Sequence, residues 1–360
     1  MTRAEVRAEF PVLERFAYLN AGTLGPLSRA TIAAMAERDR LDHELGRGGR
    51  PWIESVLALR ERVREKVART IGSPSANLAL TSSTTDGCNI VLSGFGVRRG
   101  DEIVTTNSEH PGLLLPLQAS GARVVVAEVT TRPTAETLEV LLAAVTPRTR
   151  LLALSRVIWT TGQVMPVHEL KRETGLPVLV DGAQAVGAIP TDVGELDYYT
   201  VSCQKWLCGP EPTGGLYVRD PQRLRVALPT SFSHRPLEHE GTFVPKEGAA
   251  RFDFGWLATP ALAGLEAALD GAPEWRFDRA RELAARARKL IAEHHEVVRP
   301  EAEGTLVSFV APGGDAAAAA ARLYDAGVIV RDLPGTGWLR ASCGWWNDES
   351  DLECLLSALS

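Results

Sequence analysis

Two residues of this chain have the types and the setting for covalent amine chemistry. Lys205 lies in Thr200-Val201-Ser202-Cys203-Gln204-Lys205-Trp206-Leu207, and Asp181 closes the apolar run Leu176-Pro177-Val178-Leu179-Val180. A lysine among apolar neighbours holds its proton less tightly, which frees the amine to attack an aldehyde. A carboxylate at the end of an apolar run is costly to bury without a cation. A protonated pyridine nitrogen is such a cation. The pair points to pyridoxal phosphate, joined as an imine to Lys205 with Asp181 on the ring nitrogen, and so to carbanion chemistry on an amino acid.

Other residues fit the same chemistry, though each has an ordinary structural reading. Thr81-Ser82-Ser83-Thr84-Thr85-Asp86-Gly87 precedes a helix expected to start near Cys88. Its hydroxyls and backbone N–H groups suit an anion, or are a simple cap. His110 follows an expected strand and is placed to stack on a cofactor face, or to cap a helix. Gln184 is placed to donate to a phenolic oxygen, while the ordinary reading of Asp181 is a cap on the next helix. Ser202 and Gln204 stand beside Lys205 where a phosphate would sit. Arg340, inside the apolar Gly337-Trp338-Leu339-Arg340-Ala341-Ser342, needs a counter-ion. A substrate carboxylate would supply one through a bidentate fork, and so would a structural Glu or Asp.

The elements that must hold these residues follow from periodicity. Apolar positions recur at three or four residues over Ser28–Arg47 and Pro51–Ile71, predicting two helices. Short apolar runs then alternate with helical stretches: Asn77–Thr81, Glu102–Thr105, Arg123–Glu128, Leu151–Leu154, Pro177–Val180, Tyr199–Ser202 and Gly215–Val218. That alternation predicts a mostly parallel sheet covered on both faces, with ligands at the carboxyl ends of its strands. The segment 221–256 is irregular. A helix is expected after Pro260 and another over Pro273–Ala292. Strands are expected at Glu303–Val310 and Val328–Arg331, with a helix at Ala316–Ala326 between them and a last helix at Asp348–Ser360.

Bulk composition narrows the class. The 360 residues are 45% hydrophobic and carry a net charge of −6. Without a Lys/Arg-rich run, nucleic acid and anionic membranes have no electrostatic claim on the chain. No apolar run is long enough to cross a membrane, and the charged first residues do not read as a signal peptide. The five cysteines show no zinc-ligand spacing, so no metal is expected, and free thiols suit a cytoplasmic protein.

Taken together, the motifs resemble the class V aminotransferase family of fold-type I pyridoxal-phosphate enzymes over nearly the whole chain. The resemblance rests on Tyr18-Leu19-Asn20-Ala21-Gly22, Ser83-Thr84-Thr85-Asp86-Gly87, Glu109-His110, Val180-Asp181-Gly182-Ala183-Gln184, Ser202-Cys203-Gln204-Lys205, Ala258-Thr259-Pro260 and Arg340-Ala341-Ser342. It implies an α/β fold: a mostly parallel seven-stranded sheet sandwiched by helices, with a smaller α+β C-terminal domain. The large domain would span 15–250, the small one 1–14 and 251–360. It implies Thr84 and Thr85 amides and Ser202 on the phosphate, His110 stacked on the ring, Asp181 on the ring nitrogen and Lys205 as the imine. Asn20 and Arg340 would hold the substrate carboxylate. Thr259 would reach the phosphate across a homodimer with shared sites. Gln204 departs from the family, where His is common.

Within the family, desulfurases carry a mobile cysteine loop just before the carboxylate-binding arginine. Here Arg331-Asp332-Leu333-Pro334-Gly335-Thr336-Gly337 is short and lacks Cys, and Cys343 reads as a buried structural thiol. The runs around Trp159, Trp206 and Trp256 are more similar to cysteine/cystine C–S lyases, with Trp159 near the substrate. The expectation is β-elimination of a sulfur leaving group, with Lys205 taking the Cα proton. Epimerisation, transamination and desulfuration use the same residues, and a non-catalytic binding protein of this fold is the alternative outside enzymes. Specificity is expected from loops around 230–256.

Overall fold

A computed structural model describes residues 1–130, 132–235 and 242–360; the 236–241 part of the expected specificity loops lies outside the described residues. Among the described residues twelve strands are present in chain order: β1 (Ala17–Tyr18), β2 (Leu78–Thr81), β3 (Glu102–Thr106), β4 (Arg123–Ala127), β5 (Thr149–Ser155), β6 (Val178–Asp181), β7 (Tyr198–Ser202), β8 (Gly214–Val218), β9 (Leu306–Val310), β10 (Val328–Ile329), β11 (Arg331–Leu333) and β12 (Trp338–Ser342). Seven form one sheet in the order β2-β8-β7-β6-β5-β3-β4. The neighbours from β7 to β4 run parallel, and β8 is antiparallel to both β7 and β2.

The sequence explains this sheet. β2, β6, β7 and β8 are buried along their whole length, as continuous apolar runs covered on both faces must be. One face packs on Val63, Val67, Leu170, Leu262 and Leu265. The other packs on Cys88, Val91, Leu113 and Leu117. Helices Arg29–Leu45, Gly49–Thr70 and Thr259–Asp270 lie together, so the helix after Ala258 adds its leucines to the large sheet's core.

A second core gathers around the antiparallel sheet β11-β12-β9, with Leu283, Ala287, Phe309, Leu323, Leu339 and Leu355. Ala17 and Leu19 join it from the N-terminal segment, because β1 pairs in parallel with β10. The single strand expected over Val328–Arg331 is in fact two. Val328–Ile329 pairs with β1, while Arg331–Leu333 turns to pair with β12. No described helix is long and apolar enough to cross a membrane.

Candidate active site

The carboxyl ends of β2, β3, β5, β6 and β7 share one edge of the large sheet, and register fixes which residues meet there. Ser155 pairs with Asp181, Asp181 with Thr200, and Gly214 faces both Ser202 and Thr81. Asp181 is 3% exposed. Its Oδ1 accepts from the Ala183 N–H at 2.9 Å and from the Thr200 hydroxyl at 3.4 Å. The turn-capping role is therefore real, but it occupies one oxygen; Oδ2 accepts no hydrogen bond among the described residues.

Lys205 follows β7, with Trp206 and Leu207 buried behind it. Burial pulls its amine down to about 8; the positive charge of Arg340 adds to this and Asp181 works against it. Backbone close by locks the segment. The Gly25 N–H donates to the Gln204 carbonyl at 2.8 Å, and a Cβ on Gly25 would stand 2.0 Å from the Lys205 carbonyl oxygen. Only glycine fits there.

Helix Thr84–Phe95 starts four residues earlier than expected. Ser83 caps it by accepting from the Asp86 N–H at 3.1 Å, which puts Thr84 and Thr85 in the first turn. Their N–H groups have no acceptor among those described, so the positive end of the helix is free for an anion. The Ser202 hydroxyl and the Gln204 Oε1 are buried with no hydrogen-bond partner among the described residues. Turning the Gln204 amide over puts an N–H at that point. A Cβ on Gly214 would lie 3.1 Å from the Ser83 nitrogen, so the helix start and the β7–β8 corner are adjacent.

His110 caps helix Pro111–Ala119: its Nδ1 accepts from the Gly112 N–H at 3.0 Å. The neutral ring then carries its proton on Nε2. Burial and the nearby Lys205 hold its pKa below the usual value. The ring meets Trp159 edge-on, with centroids 5.2 Å apart. Gln184 is held at both ends, donating to the Gly22 carbonyl at 2.8 Å and accepting from the Trp206 indole at 3.0 Å. One of its amide hydrogens remains.

Arg340, on β12, reaches across from the small sheet. It is 2% exposed, and no carboxylate lies within 4.0 Å of it among the described residues. It donates to the Trp159 carbonyl at 2.9 Å and to the Thr23 hydroxyl at 3.4 Å, and its Nε has no partner. Burial brings this guanidinium down to about 9. The structural ion pair is absent, so the cation still wants an anion. Asn20 borders the same space: its Oδ1 accepts from Thr23 at 2.8 Å, and its backbone pairs with Ser342. Gly22 leaves room for the guanidinium, since a Cβ there would sit 2.7 Å from Arg340 Nη2 and push it aside.

Thr259, expected to reach the phosphate across a dimer, lies outside this chain's own cluster, and its hydroxyl donates to Asp42 at 2.8 Å. One outcome was not foreseen. Glu109, quoted in the sequence only as a neighbour of His110, is buried at the site's floor. Its carboxylate accepts from Thr106 at 2.6 Å and from the Ser155 hydroxyl and N–H at 2.6 and 3.0 Å. Burial, with Asp181 adding to it, pushes Glu109 up to about 7 against those hydrogen bonds. A Thr-x-x-Glu leaving one apolar strand beside another that ends in Ser was the available signal.

The comparisons give the family. The family model "Aminotransferase class-V" matches residues 29–355. This chain belongs to that family. It is 31% identical to isopenicillin N epimerase of Streptomyces clavuligerus, over 95% of this chain and 93% of the other. It is 27% identical to cysteine desulfurase CsdA of Escherichia coli, over 99% and 96%. The solved structure of the cystine C–S lyase C-DES with its product cysteine persulfide superposes with a TM-score of 0.91 at 29% identity, covering 97% and 98%.

Membership brings pyridoxal 5′-phosphate as cofactor and amino acids as substrates. The residues present fit that cofactor. The orphaned Ser202 hydroxyl and the free N–H groups of the helix start suit its phosphate, Asp181 Oδ2 its ring nitrogen, and the Lys205 amine its aldehyde. Cys88, Cys203, Cys208 and Cys343 are all buried, and Cys343 is pushed up to about 12 by burial.

Proposed function

We propose that this class V enzyme cleaves the Cβ–S bond of cysteine, cystine or an S-substituted cysteine by β-elimination. The observation that carries the reading is the β11–β12 hairpin. Leu333 and Trp338 pair directly, leaving the four-residue turn Pro334–Gly337 with no cysteine where a sulfur-accepting thiol would ride. An enzyme that breaks C–S bonds without such a thiol must release its sulfur product. The likeness to the C-DES lyase supports the same reading.

Bound pyridoxal phosphate supplies an electron sink for the pair left at Cα. The chain's own residues do the rest. Arg340 and Asn20 bind the substrate carboxylate, with Arg340 aimed by the Trp159 carbonyl. Lys205, as free amine, takes the Cα proton at Nζ. Asp181 keeps the neighbouring ring nitrogen cationic. His110 and Trp159 wall the side away from the sheet. The balance for cysteine is cysteine plus water to pyruvate, ammonia and hydrogen sulfide; for cystine the sulfur product is cysteine persulfide.

Epimerisation is a second reading, favoured by the identity to the Streptomyces enzyme. Against it, His110 already spends Nδ1 on the Gly112 N–H, so it is poorly disposed as a second base. Holoenzyme given L-cystine should release pyruvate and ammonia in equal amounts. D-amino acid without pyruvate would replace elimination by epimerisation.

We extend the proposal to a homodimer with shared sites. Trp256, 56% exposed, stacks on Trp52 at 5.9 Å beside a cavity of about 550 Å³ lined by Arg47, Leu257 and Thr259. Such an exposed aromatic patch suits a partner subunit.

A further inference from the structure

A cavity of about 790 Å³ lies between helix Arg276–Ala292 and the chain around Arg156, and it shares no residue with the Lys205 cluster. Its wall holds four cations, Arg156, Arg281, Arg288 and Lys289, against one acid, Glu303. Arg281, Ala285, Arg288, Lys289 and Ala292 fall on one face of the helix, at spacings of three and four. The alanines leave the volume and the cations surround it.

These charges are poorly compensated. Arg281 pairs with Asp278 at 2.7 Å, both side chains being mostly exposed. Arg156, Arg288 and Lys289 have no carboxylate within 4.0 Å among the described residues. Arg288 is 8% exposed. One nitrogen donates to the Gly304 and Leu306 carbonyls, and its Nε has no partner among the described residues. A guanidinium buried on neutral acceptors alone is costly, and an anion would relieve it. A solvated basic face would not bury its central arginine.

We infer that this cavity binds a small phosphate-type polyanion. Several cations converging on one space suit a multiply charged ligand, and the arginine fork matches phosphate oxygens. The site also joins the two sheets. Arg156 donates its N–H to the Asp181 carbonyl at 2.9 Å, and the Gly304 N–H reaches the Gly162 carbonyl at 3.0 Å. Trp159 lies on the chain between Arg156 and Gly162. An anion held by Arg156 on one wall and by Arg288 and Lys289 on the other therefore braces the segment that aims Arg340.

The test uses cofactor-loaded enzyme, so that the phosphate-binding groups near Lys205 are already filled. Pyrophosphate and inorganic phosphate are titrated calorimetrically at constant ionic strength. One saturable site per chain is expected, tighter for pyrophosphate. Lys289→Glu and Arg281→Glu, both exposed, should each weaken it about tenfold or more, as losing a charge-assisted contact does. The double variant should abolish it, and Arg172→Glu, outside the cavity, should leave it unchanged. Circular dichroism confirms that the variants fold. No saturable binding, or binding indifferent to both helix variants, overturns the inference. So does equal weakening by Arg172→Glu, which would report general charge only.

Discussion

Arg340 and Lys205 are both cations placed where water cannot serve them, and they answer burial differently. Arg340 keeps its charge and lacks a protein anion. Replacing it by Gln should raise the amino-acid KM about 10–100-fold, from lost charged hydrogen bonds, with a smaller effect on kcat. It should not lower the Tm, because an uncompensated buried charge leaves with it. A large fall in Tm with unchanged KM would make Arg340 a structural residue instead. Lys205 sheds its proton near pH 8. Rebinding of pyridoxal phosphate by the apoenzyme, followed by absorbance, should therefore quicken as pH rises through 8 and level off above. A rate still climbing past pH 10 would show an ordinary lysine.

At the scale of elements, Glu109 ties the end of β3 to β5 beside Asp181 and Cys88. Its folded pKa of about 7 lies above the ordinary carboxyl value. The native state therefore holds the proton longer than the unfolded chain, and stability falls as pH rises from about 4.5 to about 7. The loss is at most roughly 3 kcal/mol. Glu109→Gln can keep the Ser155 bonds at its amide oxygen, with the Thr106 contact reversed so that the amide N–H donates; it should flatten that slope in denaturant melts at pH 5 and 7.5, and an unchanged slope would sink the account. The Thr106-x-x-Glu109 spacing was the only local hint of this carboxyl, because burial of a charge is decided by distant strands. The central strands were legible for the opposite reason, being continuous apolar runs. The run around Thr84 and Thr85 was read as a helix start, which it is, although the Ser83 cap moved that start ahead of Cys88. β11 was legible only at its first residue: the expected strand stopped at Arg331, and Asp332 and Leu333 join it through pairing with β12. Ser202, Gln204 and Asp181 were read from local order alone, yet what distinguishes them is an empty hydrogen-bond position that only folding reveals.

On the scale of the whole molecule, two cores carry the two halves of one site. The large sheet brings Lys205 and Asp181, and the small one brings Arg340 across to Trp159. The Thr259 hydroxyl faces Asp42 instead, beside the exposed Trp256. Light scattering should give twice the 38.8 kDa chain mass. Trp256→Arg should shift it toward monomer and weaken cofactor retention. A wild-type monomer that keeps its cofactor would refute shared sites.

The Pro334–Gly337 turn has a consequence outside the protein. Four residues span about 14 Å even fully stretched, and both ends are pinned by strand pairing. A tether that short cannot ferry cargo from one protein to the next. Under the proposed elimination, the sulfur product would leave as a small diffusible molecule rather than on a protein arm.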